Sequence, residues 1–420
     1  MSSHSNSNLL PADSYFIVGG AVRDRLLNLK SKDLDWVVVG LTPEQMVEQG
    51  FQQVGADFPV FIHPISKQEY ALARTERKHG EGYKGFICDF SPEVTLEQDL
   101  ERRDLTINAM AEDAYGNVID PYNGQQDLEK KTLRHVSSAF SEDPLRVLRV
   151  ARFAARFHPL GFSVAPETIT LMSQISGSGE LETLTPERVW QETQRALAED
   201  SPHIYFEVLR QCNALKIVMP ELDALFGIPQ PAKHHPEIDC GIHALMSLQA
   251  SAQLTHSTDV RFAALVHDLG KAKTDSKQWP KHHGHEQLGL KPIKQLCKKL
   301  CTNRYAESLS LIASQYHTHI HRAFELKAST ILKVLSACDA FRKPQQLEDL
   351  LLVCISDSRG RTGFESIAYP QADYFRSALA AATSIKPQPF LEQGYKGKEL
   401  GGMIEKARIE AISLVEKPDI

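Results

Sequence analysis

Residues 15–39 read Tyr15-Phe-Ile-Val18-Gly19-Gly20-Ala-Val-Arg23-Asp24-Arg-Leu-Leu-Asn-Leu29, then a polar break, then Asp33-Leu34-Asp35-Trp-Val-Val-Val39. The apolar run Tyr15 to Val18 stops at two glycines and a helix-compatible stretch follows, which predicts strand, tight turn, helix. Leu34 to Val39 is rich in β-branched residues and predicts a second strand. Residues two apart on a strand project from one face, so Asp33 and Asp35 converge. Two carboxylates together repel unless a cation neutralises them, and a hard ion such as Mg²⁺ suits carboxylates plus substrate phosphates. Gly19-Gly20 before a helix lets backbone amides approach a phosphate, and the helix N-terminus favours its charge. Arg23 lies one turn inside that helix. Either element alone is common as a plain strand start or turn; together they point to two-metal phosphoryl-type transfer.

Outward from this stretch, Thr42 caps a short helix opened by Pro43. Phe58 to His63 and Glu69 to Arg74, divided by a polar segment, predict a hairpin. Thr75 to Phe90 is polar, punctuated by Gly80, Gly82 and Gly85, and predicts a mobile loop beside the site. After Asp143, Leu145, Leu148, Ala151, Phe153 and Ala155 recur at helical spacing and strand signals become sparse. Gly227 to Pro236 contains three prolines and is the strongest linker signal. The expected class is α+β, a small mixed-sheet head followed by a predominantly α-helical body. Its expected divisions are a tail (1–14), the head (15–140), a first helical region (141–226), a linker (227–239), an all-helical domain (240–360) and a C-terminal helical region (361–420).

A chain of 420 residues exceeds one ordinary core. With 42% hydrophobic and 24% charged residues, its composition is that of a soluble globular protein. The first ten residues lack the basic flank and apolar stretch of a signal peptide, and no run approaches the roughly 18 apolar residues that span a bilayer. A cytoplasmic protein without a membrane partner is expected. The 7 cysteines form no CxxC pair, which fits reduced thiols; Cys297 and Cys301, four apart on a predicted helix, are expected to share a face and serve packing. A net charge of −6 confines any polyanion-binding surface to a region, and arginines cluster between Arg102 and Arg156. A monomer and a homodimer are both compatible with this sequence.

Gly19-Gly20-Ala-Val-Arg23-Asp24 followed by Asp33-Leu-Asp35 resembles the signature of the class II nucleotidyltransferases, which include CCA-adding enzymes and bacterial poly(A) polymerases. Arg102-Arg103-Asp104-Leu-Thr-Ile-Asn108-Ala resembles their arginine-rich second motif, and Glu142-Asp143-Pro-Leu-Arg146 their nucleotide-selecting motif. The similarity continues through Thr185-Pro186-Glu187-Arg188. The resemblance implies Asp33 and Asp35 as catalytic Mg²⁺ ligands, Gly20 and Arg23 at the triphosphate, Arg103 at the nucleotide, and Asp143 with Arg146 at the base edge. Arginine only donates and a carboxylate only accepts, so the pair can match a cytosine edge and, after rearrangement, an adenine edge. Arg149 and Arg152 follow Arg146 at three-residue steps on overlapping helix faces and join the nucleotide-binding set. Glu69 is chosen as the third carboxylate.

Farther along, His243, His267-Asp268, His285, His317 and Asp357 stand in the order H, HD, H, H, D, which resembles the HD phosphohydrolase family over roughly residues 240 to 360. His267 and Asp268 end the apolar run Phe262 to Val266. His285 is preferred to His282 and His283 because Glu286 and Gly289 follow it, and Asp339 is an alternative to Asp357. Thr318 stands where near relatives would carry a second aspartate after the histidine. Neutral imidazoles favour Ni²⁺, Co²⁺ or Mn²⁺, and the carboxylates also permit Mg²⁺. The resemblance implies 2′,3′-cyclic phosphodiesterase, 2′-nucleotidase and phosphatase activities.

Together the motifs predict an enzyme that adds C, C and A to the 3′ end of tRNA from CTP and ATP, holding the RNA by phosphate and shape contacts on its helical body. A poly(A) polymerase would share the head, but the HD-like extension and the lack of a long basic tail count against it. A hydrolase whose head only binds nucleotide is opposed by the presence of Asp33, Asp35 and the arginine motifs.

Overall fold

The structure, a computed structural model, describes residues 9–30, 34–55, 60–78, 86–232 and 235–418. It comprises two compact units, one of residues 1–188 with 211–217, the other of residues 189–210 with 218–420.

The first unit is built on a mixed sheet of strands β1 (Tyr15–Val18), β2 (Asp35–Val38), β3 (Gln52–Val54), β4 (Val60–Ile62) and β5 (Glu69–Leu72), with the two-residue strands β8 (Ala111–Glu112) and β9 (Val118–Ile119). Their order is β3-β4-β5-β2-β1-β8-β9. β2 runs parallel to β5 and antiparallel to β1, with Val18 opposite Asp35 and Trp36 opposite Tyr70. Alternation along β2 sends Trp36 and Val38 into one apolar cluster with Met46, Phe61 and Tyr70, while Val37 enters another with Val18, Leu100 and Ala109. Asp35 therefore shares the face of Val37, the side covered by the helix Leu96–Glu101. The Thr42 cap forms as expected, its hydroxyl accepting from the Gln45 amide while the Gln45 side chain accepts from the Thr42 amide.

The stretch 75–90, expected as a loop, contains two strands. β6 (Thr75–Lys78) and β7 (Phe86–Asp89) pair antiparallel, with Thr75 opposite Asp89. Glycine punctuation hid the short β-compatible flanks, and Gly80, Gly82 and Gly85 lie outside the described residues. Beyond the head the helix Leu145–Phe157 is buried over much of its surface.

The second unit centres on the helices Cys240–Leu254, Thr258–Val266, Arg304–His321 and Pro344–Arg359, which pack against one another. The last three of these helices share a core that includes Val260, Ala264, Leu309, Ala313, Leu350 and Cys354. The helix Leu290–Leu300 stops before Cys301, whose φ of 53° is left-handed while the Thr302 amide bonds back to the Cys297 carbonyl. Cys297 is buried and Cys301 exposed, so they do not share a face. All seven cysteines are free thiols. Among the described residues no helix is long and apolar enough to cross a membrane.

Candidate active sites

In the first unit a cavity of about 560 Å³ is lined by Gly19, Gly20, Asp35, Asp104, Asn108 and Asp143 together with nine arginines, among them Arg23, Arg103, Arg146, Arg149, Arg152 and Arg188. Such a concentration of guanidinium groups suits a polyanionic ligand. Gly19 has φ 71°, a left-handed conformation that favours glycine; the nearest atom to a Cβ there would be Arg103 Nη1 at 2.7 Å, the movable end of a long side chain.

A buried polar chain ties three sequence motifs together. Arg23 Nε donates to Asp24 Oδ1 at 2.8 Å, and Asp24 also meets Arg156 at 3.0 Å. Arg23 Nη1 donates to Asn108 Oδ1, whose Nδ2 donates to Asp104 Oδ1 at 2.8 Å. Asp104 Oδ2 receives Arg149 Nε at 2.8 Å and Nη2 at 2.7 Å. Burial alone would raise the Asp104 carboxyl, but Arg149 and Asn108 hold it far below its usual range. Asp99 behaves likewise: burial opposes its charge, and Arg103 and Arg102 outweigh it.

The predicted residues take different places. Asp35 opens β2 exposed at the cavity, whereas Asp33 lies outside the described residues. Arg146 is buried, its terminal nitrogens donating to the carbonyls of Ala139 at 2.7 Å and Arg102 at 2.5 Å. Asp143 instead meets Arg188 at 3.0 Å. The Arg152 guanidinium lies 4.3 Å from the centre of the Phe153 ring. Glu69 opens β5, one position before the Trp36–Tyr70 pair, but is exposed and does not line the cavity. Asn108, Asp104 and Arg188 carry no assigned role in the sequence; the signal available is their place in Arg-Arg-Asp-Leu-Thr-Ile-Asn and Thr-Pro-Glu-Arg.

In the second unit the six residues of the predicted histidine set come together in overlapping groups, and Asp268, His285, His317 and Asp357 among them line a cavity of about 550 Å³. Three imidazoles are oriented by backbone carbonyls near them in sequence. Nδ1 of His267 donates to Ala264, that of His285 to His282 and that of His317 to Ala313, at 2.7–2.9 Å. In the neutral form each ring then carries its lone pair on Nε2. His267 Nε2 lies 3.3 Å from Asp268 Oδ2 and 3.4 Å from Asp357 Oδ2. Nε2 of His285 faces Nε2 of His317 at 3.2 Å. Two lone pairs at that separation repel unless a cation or proton intervenes. His267 Nε2 and Asp268 Oδ1 are buried without a hydrogen-bond partner. This donor set fits a divalent metal, and several of its His–carboxylate groups have ligand atoms within 4.8 Å of one another.

The electrostatics agree with that fit. Burial opposes charge on His267, yet Asp268 and Asp357 push it up to about 10, while burial drives His317 down to about 3. Asp268 and Asp357 stay well below the usual carboxylate range despite burial, Asp268 chiefly through Lys271 and Asp357 chiefly through His267. A cation would replace a proton at His267 and find His317 already neutral.

His282 bonds to the Pro229 carbonyl, and His283 lines the cavity without joining the donor groups. Asp339 pairs with Arg342 outside the cluster, and Thr318 donates to Glu286. His321, missed in the sequence, contacts Asp357 Oδ2 at 2.7 Å and the Tyr369 hydroxyl at 2.7 Å. Its position four residues after His317, one helical turn along, was the available signal.

Comparison with known proteins bears on both sites. Residues 15–134 match the poly(A) polymerase head domain, 161–226 the probable RNA and SrmB-binding site of polymerase A, and 241–359 the HD domain. The multifunctional CCA protein of Hahella chejuensis is 59% identical over 397 residues, covering 94% of each chain. The chain belongs to the multifunctional CCA protein family. A solved CCA-adding enzyme in apo form shares the fold with TM-score 0.65 at 19% identity, covering 97% of this chain and 89% of its own. A CCA-adding enzyme in complex with CTP shares it with TM-score 0.62 at 20% identity, over 96% and 88%. The chain is thus a nucleotidyltransferase carrying an HD domain.

Proposed function

We propose that the arginine-lined cavity adds C, C and A to the 3′ end of tRNA from CTP and ATP, and that the histidine cavity hydrolyses phosphoesters. The observation that carries the first assignment is the joining of the Gly-Gly turn, the Arg-Arg-Asp motif and the Leu145–Phe157 helix by one buried polar chain around a cavity that Asp35 enters. Asp33 and Asp35 would hold Mg²⁺, which supplies activation of the attacking hydroxyl and neutralisation of the triphosphate. Gly20, Arg23 and Arg103 bind the phosphates, and Arg149 and Arg152 extend the cationic wall. Asp143 and Arg146 present the polar edge that selects the base, in place of a nucleic-acid template. The RNA is held through phosphate and shape on the helical body.

At the second site His243, His267, Asp268, His285, His317 and Asp357 would hold Ni²⁺ or another divalent ion, which supplies a hydroxide nucleophile near neutral pH. The substrates of that site are 2′,3′-cyclic phosphates, 2′-nucleotides and simple phosphomonoesters. The free thiols and the absence of a membrane-spanning helix among the described residues support a cytoplasmic location.

The test is nucleotide addition to a tRNA ending before C, C and A, with CTP and ATP supplied singly and together. Ordered incorporation of two C and one A is expected, and long ATP-only tails would overturn the reading. Asp35→Ala should reduce addition by more than ~100-fold while metal-dependent phosphatase activity persists. His267→Ala with Asp268→Ala should do the reverse.

A further inference from the structure

Pro231 and His235, from the proline-rich stretch before the helix Cys240–Leu254, line the cavity of the histidine cluster. The Gln230 amide bonds to the Ile238 carbonyl at 2.7 Å, and Pro229 bridges Asp239, closing the loop at its base. Asp239 then caps the helix Cys240–Leu254, its carboxylate accepting from the Gly241 and Ile242 amides. Ile238 adopts φ 60°, costly for a β-branched residue, with its side chain half exposed. The neighbouring Glu237 side chain is only 2% exposed. The loop thus leaves an isoleucine in water and encloses a carboxylate, the reverse of what solvation favours.

Glu237 Oε1 lies 3.0 Å from His243 Nδ1, which is also 3.1 Å from the Gly360 carbonyl. The opposite nitrogen, Nε2, lies 2.9 Å from Asp357 Oδ1 inside the cluster. Of the four predicted imidazole ligands, His243 has a carboxylate within hydrogen-bond distance of its Nδ1; at His285 the Glu286 carboxylate stands back at 3.6 Å, and the Nδ1 atoms of His267, His285 and His317 bond backbone carbonyls. A carboxylate behind a ligating imidazole fixes its tautomer and ring orientation and increases its basicity. His235 and Gln230 Nε2 bond the same Glu237 oxygen at 3.0 Å and 3.2 Å, anchoring it from within the loop.

We propose that Glu237 is a positioning residue for the metal centre, held by His235 and Gln230 so that it sets His243 for coordination. This rests on the reading of the histidine cluster as a divalent-metal site. In this role Glu237 acts through His243, from the Nδ1 side of the ring, while Nε2 faces Asp357 and the cluster.

The experiment is calorimetric titration of the metal-stripped full-length protein with Ni²⁺, repeated for Glu237→Ala, Glu237→Gln and His243→Ala, with Co²⁺ absorption spectra of each. Glu237→Ala should weaken Ni²⁺ binding about 10–100-fold, the range for losing such an outer partner, and alter the Co²⁺ bands. Glu237→Gln, which retains an acceptor for the Nδ1 hydrogen, should recover part of the affinity and the folded circular dichroism spectrum. Addition of C, C and A should be unchanged in both. Binding by Glu237→Ala within twofold of the parent, with His243→Ala impaired, would overturn the positioning role alone. Failure of the parent itself to bind Ni²⁺ or Co²⁺ would overturn the metal-site reading and this inference with it.

Discussion

Arg188 holds the carboxylate expected to face the base. Asp143 accepts from Arg188 at 3.0 Å and from the Leu145 amide at 3.0 Å, so its orientation is set from two sides. Arg146, one turn further on, spends terminal nitrogens on two backbone carbonyls. Loss of Arg188 should therefore loosen the Asp143 carboxylate without dismantling the helix. Arg188→Ala is expected to lower kcat/KM for CTP and ATP about tenfold, the scale of one charge-assisted hydrogen bond in a partly solvated pair. Steady-state addition with each nucleotide measures it, and unaltered kcat/KM for both would separate Arg188 from base selection.

At the scale of elements, each site depends on how closely chain segments approach. Gly270 follows His267-Asp268, and a Cβ at that position would lie 1.9 Å from the His285 carbonyl oxygen and 2.6 Å from the Gly289 amide nitrogen. Both contacts are to backbone, which cannot swing aside as a side chain can. Glycine there lets the turn carrying Asp268 press against the helix His285–Leu288. Gly270→Ala should cost about 1–3 kcal/mol through overpacking and push His285 from the cluster. A lower melting temperature without metal and weaker Ni²⁺ binding are expected; if both match the parent, the close approach is not required. The helix Leu145–Phe157 illustrates the same dependence, because Arg146, Arg149 and Arg152 share one element yet meet carbonyls, Asp104 and the Phe153 ring respectively.

For the whole molecule, the buried acid–base pairs of the first unit make stability a function of pH. The folded-state carboxyls of Asp99 and Asp104 lie below their unfolded values, because arginines outweigh the effect of burial. Their contribution is complete above the unfolded value, about 3.9, and is lost as pH falls toward the folded values. Thermal melting followed through the first unit should thus decline on acidification below about pH 4. Asp99→Asn should flatten that decline while lowering stability at pH 7; an unchanged slope would remove Asp99 as a source.

The strand, glycine turn and helix at the start of the chain, the helical repeat after Asp143, and the order of the histidines and aspartates are readable along the sequence because each is a local pattern of period, turn chemistry or ligand type. Strand alternation likewise predicts a common face for Asp33 and Asp35 but not which side of the sheet that face is; the neighbours of Asp35 come from the packing of β2. Partners are another matter. Neither the Arg188–Asp143 pair, 45 residues apart, nor the His321–Asp357 contact, 36 apart, has a local signature. The loop at 229–239 reads as a break in helix formation because prolines remove amide donors, and nothing nearby shows that it returns Glu237 to His243. In the strand, turn and helix of residues 15–39, local propensity and side-chain period suffice. The pairing of charges across long loops was settled by tertiary packing, since closing those loops and burying those charges is favourable only when the surrounding core supplies every partner at once.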